Sequence, residues 1–265
     1  MNHQSQAVFS RNSKPVVVMN FTGVYNYEPF ARNRQFVWLD CQHLNGTECY
    51  CDEEGASALQ RMIADYSPQG IHFIDSGNYH YMTEFFVEKL EGKFSLVLFD
   101  YHNDMQVPMI HSFTSCGDWA REVLENNDNL EQLILIGPSQ KNIDDIDGIS
   151  KEKFDKLVCI SLRDLEEKVA EEKLELIKND VPLYVSIDKD VLSKHYAKTN
   201  WSQGKMSVEL LKKILKRFLV DHDIIGADIC GERNPYEPMP KFFEDRGINK
   251  KTNKSLYDFL TRVIG

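Results

Sequence analysis

The stretch Ser95-Leu96-Val97-Leu98-Phe99-Asp100-Tyr101-His102-Asn103-Asp104 runs from an unbroken apolar segment into three ligand-type side chains at alternate positions. An apolar run of this length without polar alternation reads as a strand covered on both faces, which is the habit of parallel sheets. Seven more runs have the same character, at residues 16–21, 36–39, 71–74, 132–136, 157–160, 182–187 and 224–229. Helical patterns lie between many of them, at 57–66, 81–90, 119–126, 162–178 and 207–219, and a last one at 255–264 closes the chain. Strand followed by helix, repeated, means right-handed crossovers and a mostly parallel sheet of eight strands. The segments 192–206 and 234–253 read as long irregular connections, a length that in a compact domain usually serves a site.

At 265 residues, with 42% hydrophobic and 27% charged residues, the chain reads as one folded α/β domain spanning 1–265. No apolar run reaches the ~18 residues of a membrane span, and the start of the chain is polar, so the expectation is a cytoplasmic protein without a membrane partner. The 31 Lys and Arg against 41 Asp and Glu leave a net charge of -10, a surface that repels phosphate backbones and excludes nucleic acid as a partner. Six cysteines in such a chain read as reduced thiols. The group Cys41, His43, Cys49 and Cys51 is a weak zinc motif, because its C-x-C spacing departs from the usual pair and no second pair follows.

The chemistry concentrates where strands end. In extended chain, alternate side chains share a face, so Asp100, His102 and Asp104 can converge. Ser186-Ile187-Asp188-Lys189-Asp190 sets two more carboxylates at the same spacing after another apolar run, and His80 follows the run at 71–74. Glu232, in Gly231-Glu232-Arg233-Asn234-Pro235, comes after the last. Ligands of an open parallel sheet bind beyond the carboxyl ends of its strands, where all these groups are expected. Carboxylates packed this closely need cations. Two imidazoles and four carboxylates form a hard, oxygen-rich set that suits two divalent ions, manganese before zinc.

In this order, His80, D-Y-H-N-D, S-I-D-K-D and E-R-N-P, the chain resembles the arginase or ureohydrolase family from about residue 70 to 235. The resemblance implies a three-layer α/β/α fold, two Mn2+ ions, and hydrolysis of a guanidino group to urea and an amine. Carried over by motif, His80 and Asp104 would bind the first ion, His102 and Asp190 the second, and Asp100 and Asp188 both. Glu232 would receive the guanidinium, Asp104 would pass a proton to the departing amine, and His111 matches in place a proton-shuttling histidine in poorly matching surroundings. Trp201, with Tyr79 and Tyr101, is a candidate for cation–π contact at the rim.

The departures concern the substrate's outer parts. Gly77-Asn78-Tyr79-His80 stands for the family's G-G-D-H, Tyr101 replaces a small residue, the downstream G-T-G is absent, and residues 112–119 replace the loop that holds free arginine. That pattern is similar to peptide arginases, so the substrate is a guanidino small molecule or an arginine-containing peptide, with arginine to ornithine as the reaction. Two rivals stay open: a single-zinc deacetylase-like amidohydrolase, and a non-catalytic regulator that keeps metals for stability. Homo-oligomerisation also stays open.

Overall fold

The computed structural model describes residues 14–28, 31, 33, 35–110, 112–167, 169–233 and 241–264. Among the described residues ten strands occur in chain order: β1 (Val16–Asn20), β2 (Val37–Asp40), β3 (Tyr50–Cys51), β4 (Ile71–Phe73), β5 (Phe94–Phe99), β6 (Thr114–Ser115), β7 (Leu130–Ile136), β8 (Leu157–Ile160), β9 (Leu183–Asp188) and β10 (Ile224–Cys230). Eight of them build one sheet in the order β2-β1-β4-β10-β9-β5-β7-β8, and every pairing within it is parallel. The two shortest, β3 and β6, pair antiparallel to each other. Strands β5 and β9 are buried at every position, as expected of central strands covered on both faces.

The helices are α1 (Glu53–Ile63), α2 (Met82–Val87), α3 (Trp119–Asn126), α4 (Gln140–Asp144), α5 (Lys151–Phe154), α6 (Leu162–Glu167), α7 (Ala170–Leu174), α8 (Val208–Phe218) and α9 (Lys241–Leu260). Two hydrophobic clusters cover the two faces of the sheet. One takes Leu59 and Ile63 of α1, Phe85 and Phe86 of α2 and Trp119 and Leu124 of α3; the other takes Leu211 and Leu215 of α8 with Leu256 and Leu260 of α9. Helix, sheet, helix gives the three layers the sequence implies.

Three boundaries differ from the sequence reading. Helix α1 begins at Glu53 and not at 57, because Asp52 caps it by accepting the Gly55 N–H at 2.8 Å, and Glu53 and Glu54 suit the positive helix start. The single helix expected over 162–178 is two, α6 and α7, with Val169 at 39% exposure outside both. The irregular segment expected over 234–253 is half helix, since α9 starts at Lys241. Its inward face there carries Asp245, Asn249, Thr252 and Asn253, all buried, so no apolar stripe marks it. Pro235, Pro238 and Pro240 lie outside the described residues. No described helix is long and apolar enough to cross a membrane.

Candidate metal centre

The carboxyl ends of β4, β10, β9 and β5 are neighbours in the sheet, and the ligand-type side chains gather there. Asp100 follows β5 directly. Four residues later the chain turns back at Asp104, whose φ of 49° is left-handed and rare for a non-glycine residue. Such strain costs on the order of 1–3 kcal/mol and persists where the surroundings enforce it. Here it brings the Asp104 Oδ2 to 3.0 Å from His80 Nδ1 and within 2.6 Å of the Trp119 Nε1–H, which it accepts. His80 is fixed from its other side: Nε2 lies 2.8 Å from Ser186 Oγ, which also meets Thr83 Oγ1 at 3.0 Å.

Asp100 is shared. Its Oδ2 lies 3.2 Å from His80 Nδ1 and its Oδ1 3.4 Å from His102 Nδ1. His102 Nδ1 also lies 2.8 Å from Asp190 Oδ2, while the other Asp190 oxygen accepts the Tyr101 N–H at 3.0 Å. Asp188 Oδ2 stands 3.8 Å from His80 Nδ1, and its Oδ1 accepts the Asp190 N–H at 2.8 Å. Two donor triads result, His80/Asp100/Asp104 and Asp100/His102/Asp190, each with donor atoms within 4.8 Å of one another. Two glycines permit this closeness: a Cβ on Gly77 would meet Asp188 Oδ2 at 2.6 Å, and one on Gly231, at φ 85°, would meet Asp188 Oδ1 at 2.5 Å.

The electrostatics ask for cations. Burial, then the Asp104 charge, raises the Asp100 pKa; burial, then the Asp190 charge, raises that of Asp188. Asp190 is pushed up to about 7 by burial and by Asp100. Burial would lower His102, but its bonds to Asp100 and Asp190 outweigh that and push it up to about 12. Protons held this tightly occupy the places of positive charge, and the four clustered carboxylates with two imidazoles fit two divalent ions.

Over the cluster opens a cavity of about 220 Å³, lined by all six predicted ligands, His80, Asp100, His102, Asp104, Asp188 and Asp190. Trp201 lines its mouth at 42% exposure, its Nε1–H donating to Asn78 Oδ1 at 2.9 Å and its ring 5.9 Å edge-on from His102. Tyr50, 46% exposed, also lines the cavity. Tyr79 is not at the rim: it is buried and stacks on Phe21 at 3.9 Å.

Glu232 is the residue expected to receive the guanidinium. It is buried, is absent from the cavity lining, and bonds Lys189, with Asn253 Nδ2 at 2.6 Å from Oε1 and Asn249 Nδ2 at 2.9 Å from Oε2. An internal cation already neutralises it. His111 lies outside the described residues.

The group Cys41, His43, Cys49 and Cys51 does not converge: Cys41 and Cys51 are buried in the core, and His43 lines a separate surface hollow. One neighbour of the centre escaped the sequence reading. The Cys230 thiol lies 3.2 Å from Asp188 Oδ2, forming a third triad with His80 and Asp188. Its place at the end of β10, beside Gly231-Glu232, was the available signal.

Comparison with known proteins agrees with this geometry. The family model described as "Arginase family" matches residues 70–239, the span that holds every ligand named above. The chain belongs to the arginase family. As an arginase-family protein it is a hydrolase acting on C–N bonds of linear amidines, in a family that depends on a binuclear metal site. It is 27% identical over 241 residues to an uncharacterized protein of Thermotoga maritima, covering 91% of this chain and 88% of that one. Its fold is similar to formimidoylglutamase from Bacillus subtilis, with a TM-score of 0.63 and 14% identity over 99% of this chain and 96% of that one. It is similar too to the proclavaminate amidino hydrolase of Streptomyces clavuligerus, with a TM-score of 0.64 and 15% identity over 94% and 91% of the two chains.

Proposed function

We propose that this arginase-family chain hydrolyses the guanidino group of an arginine side chain within a peptide, giving ornithine and urea, with two manganese ions held by His80, Asp100, His102, Asp104, Asp188 and Asp190. The observation that carries the two-ion reading is Asp100, which gives one oxygen to each imidazole. When bound, two such ions supply Lewis acidity that makes water a nucleophile near neutral pH. The hard donor set favours manganese over a softer metal.

The chain's own residues do the rest. Guanidinium is a resonance-stabilised, poor electrophile, so orientation counts for much of the rate. Trp201 and Tyr50 flank the mouth and hold the cation by their ring faces. Gln106 lines the same wall and offers the amide through which the guanidinium nitrogens are aligned. Asp104 passes a proton to the departing amine, positioned by the Trp119 indole. Glu232, bonded to Lys189, acts as a structural counter-ion under the site.

Two features favour a peptide over free arginine. Among the described residues lining the cavity there is no Lys or Arg, so the α-carboxylate of a free amino acid has no cationic partner. The volume, about 220 Å³, is below the ~300–1,000 Å³ of pockets that swallow whole ligands, and suits one side chain reaching in from outside. Beyond the mouth, Val107, Met109 and Ile110 are exposed beside Tyr50, an apolar ledge for flanking residues.

The test is urea release by the manganese-loaded chain from an arginine-containing peptide, free arginine and agmatine. The peptide is expected to exceed the other two by at least an order of magnitude in kcat/KM. Faster release from free arginine would overturn the peptide assignment and leave the guanidino chemistry standing.

A further inference from the structure

Two thiols outside the metal cluster face each other across one wall of the cavity. Cys49 precedes β3 and Cys116 follows β6, so they form the next opposed pair beyond Tyr50 and Ser115 in the antiparallel ladder. The Cys116 N–H donates to the Cys49 carbonyl at 2.8 Å, which sets the two residues side by side. Opposed Cα atoms in such a ladder lie ~4.5–5.5 Å apart. A disulfide spans ~4.4–6.8 Å between Cα atoms, a range that takes in this ladder spacing.

The pair is singled out by access and by backbone. Both residues are half-buried and line the open cavity, whereas Cys41, Cys51 and Cys230 are buried and Cys159 lies on the edge strand β8. Cys49 has a φ of 60°, a left-handed conformation held by its N–H bond to the Asn78 carbonyl at 3.2 Å. That turn takes it out of the strand alternation that buries Cys51. The segment between Asp104 and Cys116 exposes Val107, Met109 and Ile110, and its two-residue strand β6 pairs with β3.

We propose that Cys49 and Cys116 are a redox modification site, forming a reversible disulfide that ties the segment after the metal ligand Asp104 to the chain leading into α1. Cys49 is the attacking thiol, because it is the less buried of the two and its left-handed turn takes it out of the strand, with the interaction with Cys116 acting to lower its pKa. Its thiolate attacks one sulfur of a low-molecular-weight disulfide such as oxidised glutathione, and one thiol leaves with a proton. Cys116 then attacks the Cys49 sulfur of the mixed disulfide and loses its own proton to the second departing thiol. Two protein thiols are oxidised and one external disulfide is reduced to two thiols.

The experiment incubates the purified, metal-loaded chain in oxidised glutathione, blocks remaining thiols, and maps the digest by mass spectrometry. The expected result is loss of two hydrogens, one cross-linked peptide joining Cys49 to Cys116, and full reversal by dithiothreitol. In C116S the mixed disulfide is expected to stop as a stable glutathione adduct on Cys49, and in C49S Cys116 is expected to stay unmodified. A cross-link through Cys41 or Cys51, lasting adducts on the unaltered chain, or no modification at any glutathione ratio would each overturn the assignment. The readout does not pass through turnover, so failure of the guanidino reading leaves it intact.

Discussion

The Lys189 ammonium is bonded to the Glu232 carboxylate between the neighbouring ends of β9 and β10, and both are out of reach of solvent. Asn253 completes the arrangement, accepting from Lys189 Nζ at 2.8 Å while donating to Glu232. Removing one partner of a buried ion pair strands the other, at a cost of about 3–5 kcal/mol. Lys189→Met is expected to lower the melting temperature sharply, and Lys189→Met with Glu232→Gln to recover most of the loss. If Glu232→Gln alone left stability intact and only raised KM, Glu232 would be a substrate anchor after all.

Asp100 and Asp190 differ in what they share. Asp100 faces both imidazoles, and Asp190 meets His102 alone. Asp100→Ala is expected to deplete both ions, whereas Asp190→Ala depletes one, as read by elemental analysis of dialysed protein. Equal depletion by the two variants would contradict the shared role of Asp100.

Trp201 stands at the mouth and touches the centre only edge-on, through His102. A ring face lost from a cation costs about 0.5–2 kcal/mol, so Trp201→Ala should raise KM for a guanidino substrate by roughly 2- to 30-fold. The turnover number should change little, and steady-state kinetics separates the two.

Glu28 supplies a pH signature remote from the metals. Its carboxylate is fully buried, with neither oxygen hydrogen-bonded, and burial followed by the Glu232 charge pushes its pKa up to about 7. A carboxyl whose folded pKa is raised binds its proton more tightly folded than unfolded. Its contribution to stability is therefore present below about pH 4.5 and is lost as pH rises toward 7. Glu28→Gln should flatten this slope and be the more stable protein at pH 8, by up to about 3 kcal/mol. Thermal melts of both proteins between pH 4 and 8 check it.

The sheet was readable from sequence because most of its eight strands are short, largely apolar runs, and the candidate ligands sit where those runs end. Helix α9 was not, because the inward face of its first half carries Asp245, Asn249 and Asn253 in place of leucines, two of them bonding Glu232. The E-R-N-P motif likewise carries no sign of the lysine that meets Glu232, 43 positions away in sequence. Strands β3 and β6, two residues each, are too short to leave a pattern, yet they place Cys49 beside Cys116. Cys230 was overlooked because a single cysteine at a strand end is ordinary core material until His80 and Asp188 are seen beside it.

The central claim is that two cations share Asp100 at the carboxyl edge of the sheet. Anomalous diffraction at the manganese edge, from crystals of manganese-loaded protein, tests it most directly. The account predicts two peaks, one among His80, Asp100 and Asp104 and one among Asp100, His102 and Asp190. A single peak, or two that leave Asp100 bound to neither or to one alone, would contradict it.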